Sequence, residues 1–194
     1  MDSHLIESKL KSQELFRGSF LHAFRDTVAL PDGTEASREY VIHPGAVMIV
    51  PLLELPGQPL QLVMERQFRY PVQQVMLEFP AGKLDPNEST LECAQRELFE
   101  ETGYRAKQWA KAGVMHPVIS YSTEFIEIWF AKDLSLGERQ LDPGEFLEVI
   151  TQTPEALKQA CLKGEVTDGK TLTGMFWLQN YLSGQHDLTW VNAA

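Results

Sequence analysis

Between residues 82 and 103 the chain sets Gly82-Lys83-Leu84-Asp85-Pro86-Asn87-Glu88, then seven residues, then Arg96-Glu97-Leu98-Phe99-Glu100-Glu101-Thr102-Gly103. On a helix, Glu97 and Glu101 stand one turn apart, about 6 Å along the axis, and Glu100 neighbours both, so three carboxylates can converge on one edge. Like charges that close repel unless a cation lies between them. Oxygen ligands suit a hard divalent ion, Mg²⁺ or Mn²⁺, which accepts carboxylates and keeps waters that a substrate phosphate can replace. Arg96 can fix one carboxylate by charge-assisted hydrogen bonds and leave the others for metal. A solvated acidic helix face, with Arg96 in a surface ion pair, is the ordinary alternative. Other chemistry-bearing residues are sparse. Cys93 and Cys161 lack CxxC spacing, so neither a disulfide framework nor a zinc knuckle is indicated, and a reducing, cytoplasmic setting is expected. His116 has no second His or Cys at ligand spacing and reads as structural. There is no Ser-His-Asp order and no Walker-type glycine loop.

These residues need a scaffold, and 194 residues with 43% hydrophobic and 23% charged side chains can build one domain with a core. Seventeen basic residues against 27 acidic give 17 − 27 = −10, which argues against nucleic acid or anionic lipid as a partner. An anionic substrate must therefore find local positive charge. The polar first twelve residues lead into no signal-peptide core, and the longest uncharged stretch, 41–53, contains Pro44 and Pro51 and is too short to span a bilayer.

From 19 to 42, apolar residues recur at about every second position around Pro31-Asp32-Gly33, the pattern of a hairpin. Segments 46–53 and 60–68 flank Pro56-Gly57-Gln58-Pro59 and read as paired core strands. A third short strand at 75–79 ends where Pro80-Ala81-Gly82 turns. Over 89–102 the period changes: Leu91, Ala94, Leu98 and Phe99 share a helical face, Ser89 and Glu92 can form a capping box, and Gly103 fits the C′ stop. Strand patterns return at 113–115, 123–131 and 146–151. Thr153, Pro154 and Gly164 bound a second helix, and a third spans 168–182 with Leu172, Met175, Phe176, Gln179 and Leu182 along one stripe. This order predicts a mixed α/β sandwich, without repeats or an interdomain linker.

The pattern Gly, five residues, Glu, seven residues, Arg-Glu-Leu, one residue, Glu-Glu, one residue, Gly resembles the Nudix box, the signature of hydrolases acting on nucleoside diphosphates linked to another moiety. Eight fixed positions match, a coincidence well below about one in a million at background residue frequencies. Tyr104 departs from the pattern at a packing position, where an aliphatic residue is usual. The resemblance implies a Nudix-type α/β/α sandwich with a mixed sheet and an N-terminal strand extension. It divides the chain into 1–43, dimer-forming, and 44–194, the hydrolase domain. It further implies that Glu97, Glu100 and Glu101 bind or organise the metal with the carbonyl of Ala81, that Arg96 orients a glutamate, and that Gly82 and Glu88 shape the loop.

Outside the box, Glu65-Arg66-Gln67-Phe68-Arg69-Tyr70-Pro71-Val72, Leu77-Glu78-Phe79-Pro80-Ala81-Gly82 and Ser37-Arg38-Glu39 with His43-Pro44-Gly45-Ala46 resemble the ADP-ribose pyrophosphatase branch. That likeness implies Arg38 and Arg69 on the diphosphate, a task suited to bidentate guanidinium forks, with Glu78 in the same substrate site. His116-Pro117-Val118-Ile119-Ser120 matches the branch in part. Residues Leu141-Asp142-Pro143-Gly144-Glu145-Phe146-Leu147-Glu148 resemble its acidic loop, with Glu145 as the catalytic glutamate beside Glu100 and Arg96, and Glu138 and Glu148 in reserve. Phe16, Phe20 and Phe24 could stack on a base, but core packing is the commoner use. The implied activity is metal-dependent hydrolysis of ADP-ribose and related nucleoside diphosphate sugars by a homodimer, with water as nucleophile and a loop carboxylate as proton acceptor. Rival readings are a hydrolase preferring another sugar nucleotide, such as GDP-mannose, and a non-catalytic nucleotide-sensing Nudix module. The intact carboxylates weigh against the second.

Overall fold

Three strands, β1 (Ser8–Arg17), β2 (His22–Ala29) and β3 (Glu35–Ile42), form an antiparallel sheet in that order. The computed structural model describes residues 2–193, so Met1 and Ala194, the outer ends of the two expected units, lie outside the described residues. The hairpin at 31–33 is present, with Gly33 at φ +84° and the Asp32 carboxylate accepting the Thr34 N–H. Buried Asp26 ties the three strands together: Ser12 Oγ donates to its Oδ1 at 2.5 Å and Tyr40 Oη to its Oδ2 at 3.0 Å. β1 escapes sequence reading because all ten of its residues are exposed, so no alternation marks it. For the same reason Phe16, at 55% exposure, is not a core residue, and neither is Phe20 at 47%.

By backbone proximity the residues up to Gly45 group with His116–Glu124, and Ala46–Met115 groups with the residues from Phe125 onward. This second unit carries β4 (Ala46–Leu53), β5 (Gln61–Arg69), β6 (Gln74–Glu78), β7 (Ala81–Lys83), β8 (Tyr104–Met115), β9 (Ile126–Leu136), β10 (Leu147–Gln152) and β11 (Val191–Asn192). They make one eight-stranded sheet, ordered β10-β5-β4-β9-β8-β11 with β6 on β5 and β7 on β4. The sheet is mixed, since β4 runs parallel to β9 and antiparallel to β5 and β7.

All eight residues of β4 are buried because both faces of this strand are covered. Met48, Val50 and Leu52 pack with Leu157, Met175 and Leu178, whereas Val47 and Ile49 pack with Cys93, Ala94 and Leu98. Helix α1 (Thr90–Thr102) therefore lies on one face, and α2 (Pro154–Leu162) and α3 (Gly169–Leu182) on the other, giving the expected α/β/α layering. Three local expectations need correction. β4 and β5 pair only at Leu52–Leu62 and Leu53–Gln61, because β7 takes the rest of that edge. The strand expected at 113–115 is the end of twelve-residue β8. The buried stripe of α3 is Thr171, Gly174, Met175 and Leu178, with Leu172 and Phe176 exposed. Gly174 sets that face: a Cβ there would stand 2.6 Å from Met48 Cε and 3.0 Å from the Phe79 ring. Among the described residues, no helix is long and apolar enough to cross a membrane.

Candidate active site

α1 begins where its sequence caps it. Glu92 N–H donates to Ser89 Oγ at 3.3 Å, and Ser89 N–H donates to Glu92 Oε2 at 2.9 Å. It ends at Gly103, whose φ of +77° suits the C-cap. With Cys93, Ala94 and Leu98 held against β4, Glu97 and Glu101 meet β7. The Glu97 carboxylate occupies the space a side chain at 82 would need, since a Cβ on Gly82 would fall 1.8 Å from Glu97 Oε1. Glu101 Oε2 accepts the Ala81 N–H at 3.1 Å. Two adjacent residues of one short strand thus fix two box carboxylates.

Arg96 organises the other side of the helix. Its Nε and Nη2 donate to the two Glu88 oxygens at 2.8 and 2.9 Å, and Nη1 donates to Glu97 Oε1 at 2.8 Å and Glu100 Oε2 at 3.1 Å. The Arg96 guanidinium holds the Glu88 carboxyl down to about 2. Glu100 shares the Arg96 Nη1 with Glu97 and also faces the outer cleft lined by Asp85, Glu88 and Arg105.

Burial dominates the electrostatics of the inner cluster. It pushes the Glu97 carboxyl up to about 7 against the opposing pull of Arg96, with Glu100 and Glu145 adding to the rise. Burial, then Glu65, Glu97 and Glu145, raise Glu101 well above the usual carboxylate range. Glu65, fully buried on β5, is pushed up to about 8 by burial and then by Glu78. Among the described residues no N–H donates to either Glu65 oxygen, and its hydrogen-bonding neighbour is the Glu101 carboxyl. Glu145, half-buried, stands close enough for its charge to act on both Glu97 and Glu101. Of the reserve residues, Glu148 lines one cleft with Glu145 and pairs with Arg66 at 2.9 Å, and Glu138 is an exposed loop residue.

Arg69 is gripped by Glu78, its Nε and Nη2 donating to the two carboxylate oxygens at 2.8 and 2.9 Å. Burial works to raise Glu78, yet Arg69 and Lys170 outweigh it and hold the carboxyl below its usual value. Lys170, which also donates to Glu78, was not singled out in the sequence. The only hint was Asp168-Gly169-Lys170-Thr171 at a helix start. Asp168 Oδ2 caps α3 by accepting the Thr171 N–H at 3.0 Å, and the Phe79 N–H donates to Thr171 Oγ1 at 3.2 Å, so the head of α3 is bonded to the strand end carrying Glu78. Arg38 belongs to the N-terminal unit, where its fork is on Glu7 at 2.5 and 2.9 Å. His116, in the same unit, is exposed.

Among the described residues no three His, Cys, Asp or Glu side chains are already arranged around one point to hold a metal. Glu97 is turned toward Arg96 and Glu101 toward the Ala81 N–H. The donor set still fits a hard divalent cation, because buried Glu65 and Glu101 and half-buried Glu97 are acids whose mutual repulsion such an ion would relieve, and no N–H donates to Glu65 among the described residues.

Comparison with known proteins gives the family. The NUDIX domain family matches residues 42–173, and the nucleoside diphosphate sugar hydrolase N-terminal domain matches residues 7–41. An ADP-ribose pyrophosphatase of Bacillus subtilis (strain 168) is 34% identical over 177 residues, 90% of this chain and 94% of that protein. A methanol dehydrogenase activator of Bacillus methanolicus is also 34% identical over 177 residues, 89% and 92% of the two chains. The crystal structure of an ADP compounds hydrolase has the same fold, with a TM-score of 0.81 at 23% identity over 92% of this chain and 95% of that one.

Proposed function

The chain belongs to the Nudix family and is a Nudix hydrolase with a nucleoside diphosphate sugar hydrolase N-terminal domain, and from that premise we propose that it cleaves the diphosphate of ADP-ribose and related nucleoside diphosphate sugars. The products are a nucleoside monophosphate and a sugar phosphate. The observation that carries the metal-dependent part of this reading is the acid cluster of buried Glu65 and Glu101 with half-buried Glu97, acted on by Glu145, with Arg96 as the cation bonded to Glu97.

Glu97, Glu101 and the Ala81 carbonyl would hold Mg²⁺ or Mn²⁺, with Glu100 organising the set through Arg96. A bound divalent ion supplies charge neutralisation at the diphosphate and acidifies a bound water. Glu145 accepts the proton of the attacking water as the new O–P bond forms and the bridging P–O bond breaks. Arg69 binds diphosphate oxygens with the guanidinium edge that Glu78 leaves free, and Glu78 contributes by fixing Arg69. We assign the enzyme to the cytoplasm as a homodimer assembled through the N-terminal strands. The test is a panel of nucleoside diphosphate derivatives incubated with Mg²⁺ or Mn²⁺ and separated by chromatography. ADP-ribose should give AMP and ribose 5-phosphate, dependent on the ion. The reading fails if no member of the panel releases a nucleoside monophosphate.

A further inference from the structure

Glu78 is a single carboxylate claimed by two cations. It is 1% exposed, while its partners open outward unequally, Lys170 at 13% and Arg69 at 39% side-chain exposure. Arg69 spends only Nε and Nη2 on Glu78. A guanidinium has five N–H donors in a planar fork, so the Nη1 edge remains for a second bidentate partner. An arginine paired with one carboxylate is electrostatically neutralised, and here the buried carboxyls of Glu65 and Glu101 act on Arg69 as well. Left alone with these three acids, Arg69 would offer an anion good geometry and little charge. Lys170 changes that balance. Its ammonium donates to Glu78 and, at 3.0 Å, to Asp168 Oδ2, and the Asp168 charge is in turn bound by the N–H and the hydroxyl of Thr171 at the head of α3.

We propose that Lys170 is a positioning residue for the substrate diphosphate: by sharing Glu78 it holds Arg69 in place while leaving the charge and outer edge of Arg69 to the anion. This rests on the reading of Arg69 as a diphosphate contact. Lys170 comes from α3, 92 residues from Glu78 in sequence, so the substrate side of the site is set by the C-terminal helix as well as by the strands.

The experiment compares Lys170→Met, Lys170→Gln and Lys170→Arg with wild type, each also in a Glu78→Gln background, with melting curves to exclude unfolded protein. Lys170→Met should raise KM about 10-fold or more and change kcat less than about 3-fold, the signature of lost uniform binding. Lys170→Arg should recover most of the loss. In the Glu78→Gln background Lys170→Met should add little, because no carboxylate is left to share. Calorimetry with an uncleavable, methylene-bridged nucleoside diphosphate sugar should give the same affinity ratio without turnover. If Lys170→Met does not fold, Lys170→Gln is read in the same way. An unchanged KM overturns the inference, and so does a full KM penalty persisting without Glu78, since Lys170 would then touch the ligand itself. Should wild type cleave nothing in the panel, the functional reading fails separately, and the inference stands or falls on inorganic pyrophosphate binding by wild type against Lys170→Gln.

Discussion

Glu97 and Glu101 are neighbours on one helix, yet what makes them unusual acids comes from elsewhere: Gly82 and Ala81 of β7, Glu65 of β5 and the loop residue Glu145. A pH dependence with a definite sign follows. For a carboxyl raised by burial, the native state binds more protons than the unfolded chain between the two pKa values, so stability falls as pH rises through that window. With Glu97 at about 7 and Glu101 raised as well, protein in chelator should melt at progressively lower temperature from pH 5.5 to 8. Because metal ligation needs the deprotonated carboxylates, added Mg²⁺ should raise the melting temperature far more at pH 8 than at pH 5.5. Scanning calorimetry of wild type and Glu97→Gln, with and without Mg²⁺, checks both trends. A melting temperature that rises toward pH 8 in chelator would remove the buried acids from the account. The box residues were legible because their spacing is rigid within one helix and its entry loop. Glu65 and Lys170 were not: one sits in a strand that reads as core, the other at the head of a distant helix, and only the tertiary fold brings them to Glu101 and Glu78.

At the scale of elements, the site is an apposition of β7 against α1, and Gly82 is where the two come closest. Its φ is not in the left-handed region, so the backbone there tolerates any residue. The demand for glycine is spatial. Gly82→Ala would put a methyl where the Glu97 carboxylate now lies, and that carboxylate, at the end of a flexible side chain, would move. Displacement of a reacting constellation by about 1 Å can cost on the order of 100-fold in rate. Gly82→Ala should therefore lose about that much activity while its melting temperature stays within a few degrees of wild type, since little core packing is disturbed. A fully active alanine variant would mean that Glu97 has no fixed role. The element pattern was readable where a buried face imposes a period, as along α1 and β4. It failed where burial is absent, as in β1, or where both faces and a bulge blur alternation, as in β8 between Lys111 and Gly113. In α3 the apolar residues misled, since small Gly174 rather than Leu172 or Phe176 sets the packed face.

At the scale of the whole molecule, β1 has no stated function within one copy of the chain. It is the edge strand of the N-terminal sheet, all ten of its residues are exposed, and it carries Leu10, Leu15 and Phe16 at 55%, 42% and 55% exposure. Leu5, Ile6, Phe20 and Leu21 extend the apolar character of that end of the chain. A long edge strand with unpaired backbone groups and exposed Leu10, Leu15 and Phe16 among its charges invites association unless something covers it, and a twofold contact between like copies is the commonest closed solution. The net charge of −10 would oppose indiscriminate sticking, which favours one specific contact over aggregation. Sedimentation equilibrium at micromolar concentration should therefore give twice the 22.0 kDa chain mass. The paired variant Leu10→Glu, Phe16→Glu places charge on the proposed seam while touching no residue of the acid cluster, and it should sediment as a monomer with an unchanged far-ultraviolet spectrum. If the N-terminal strands also complete the substrate site of the second copy, that monomer should show a raised KM with Mg²⁺ binding retained. A wild-type chain that sediments at 22.0 kDa would leave the exposed strand without a second copy to cover it.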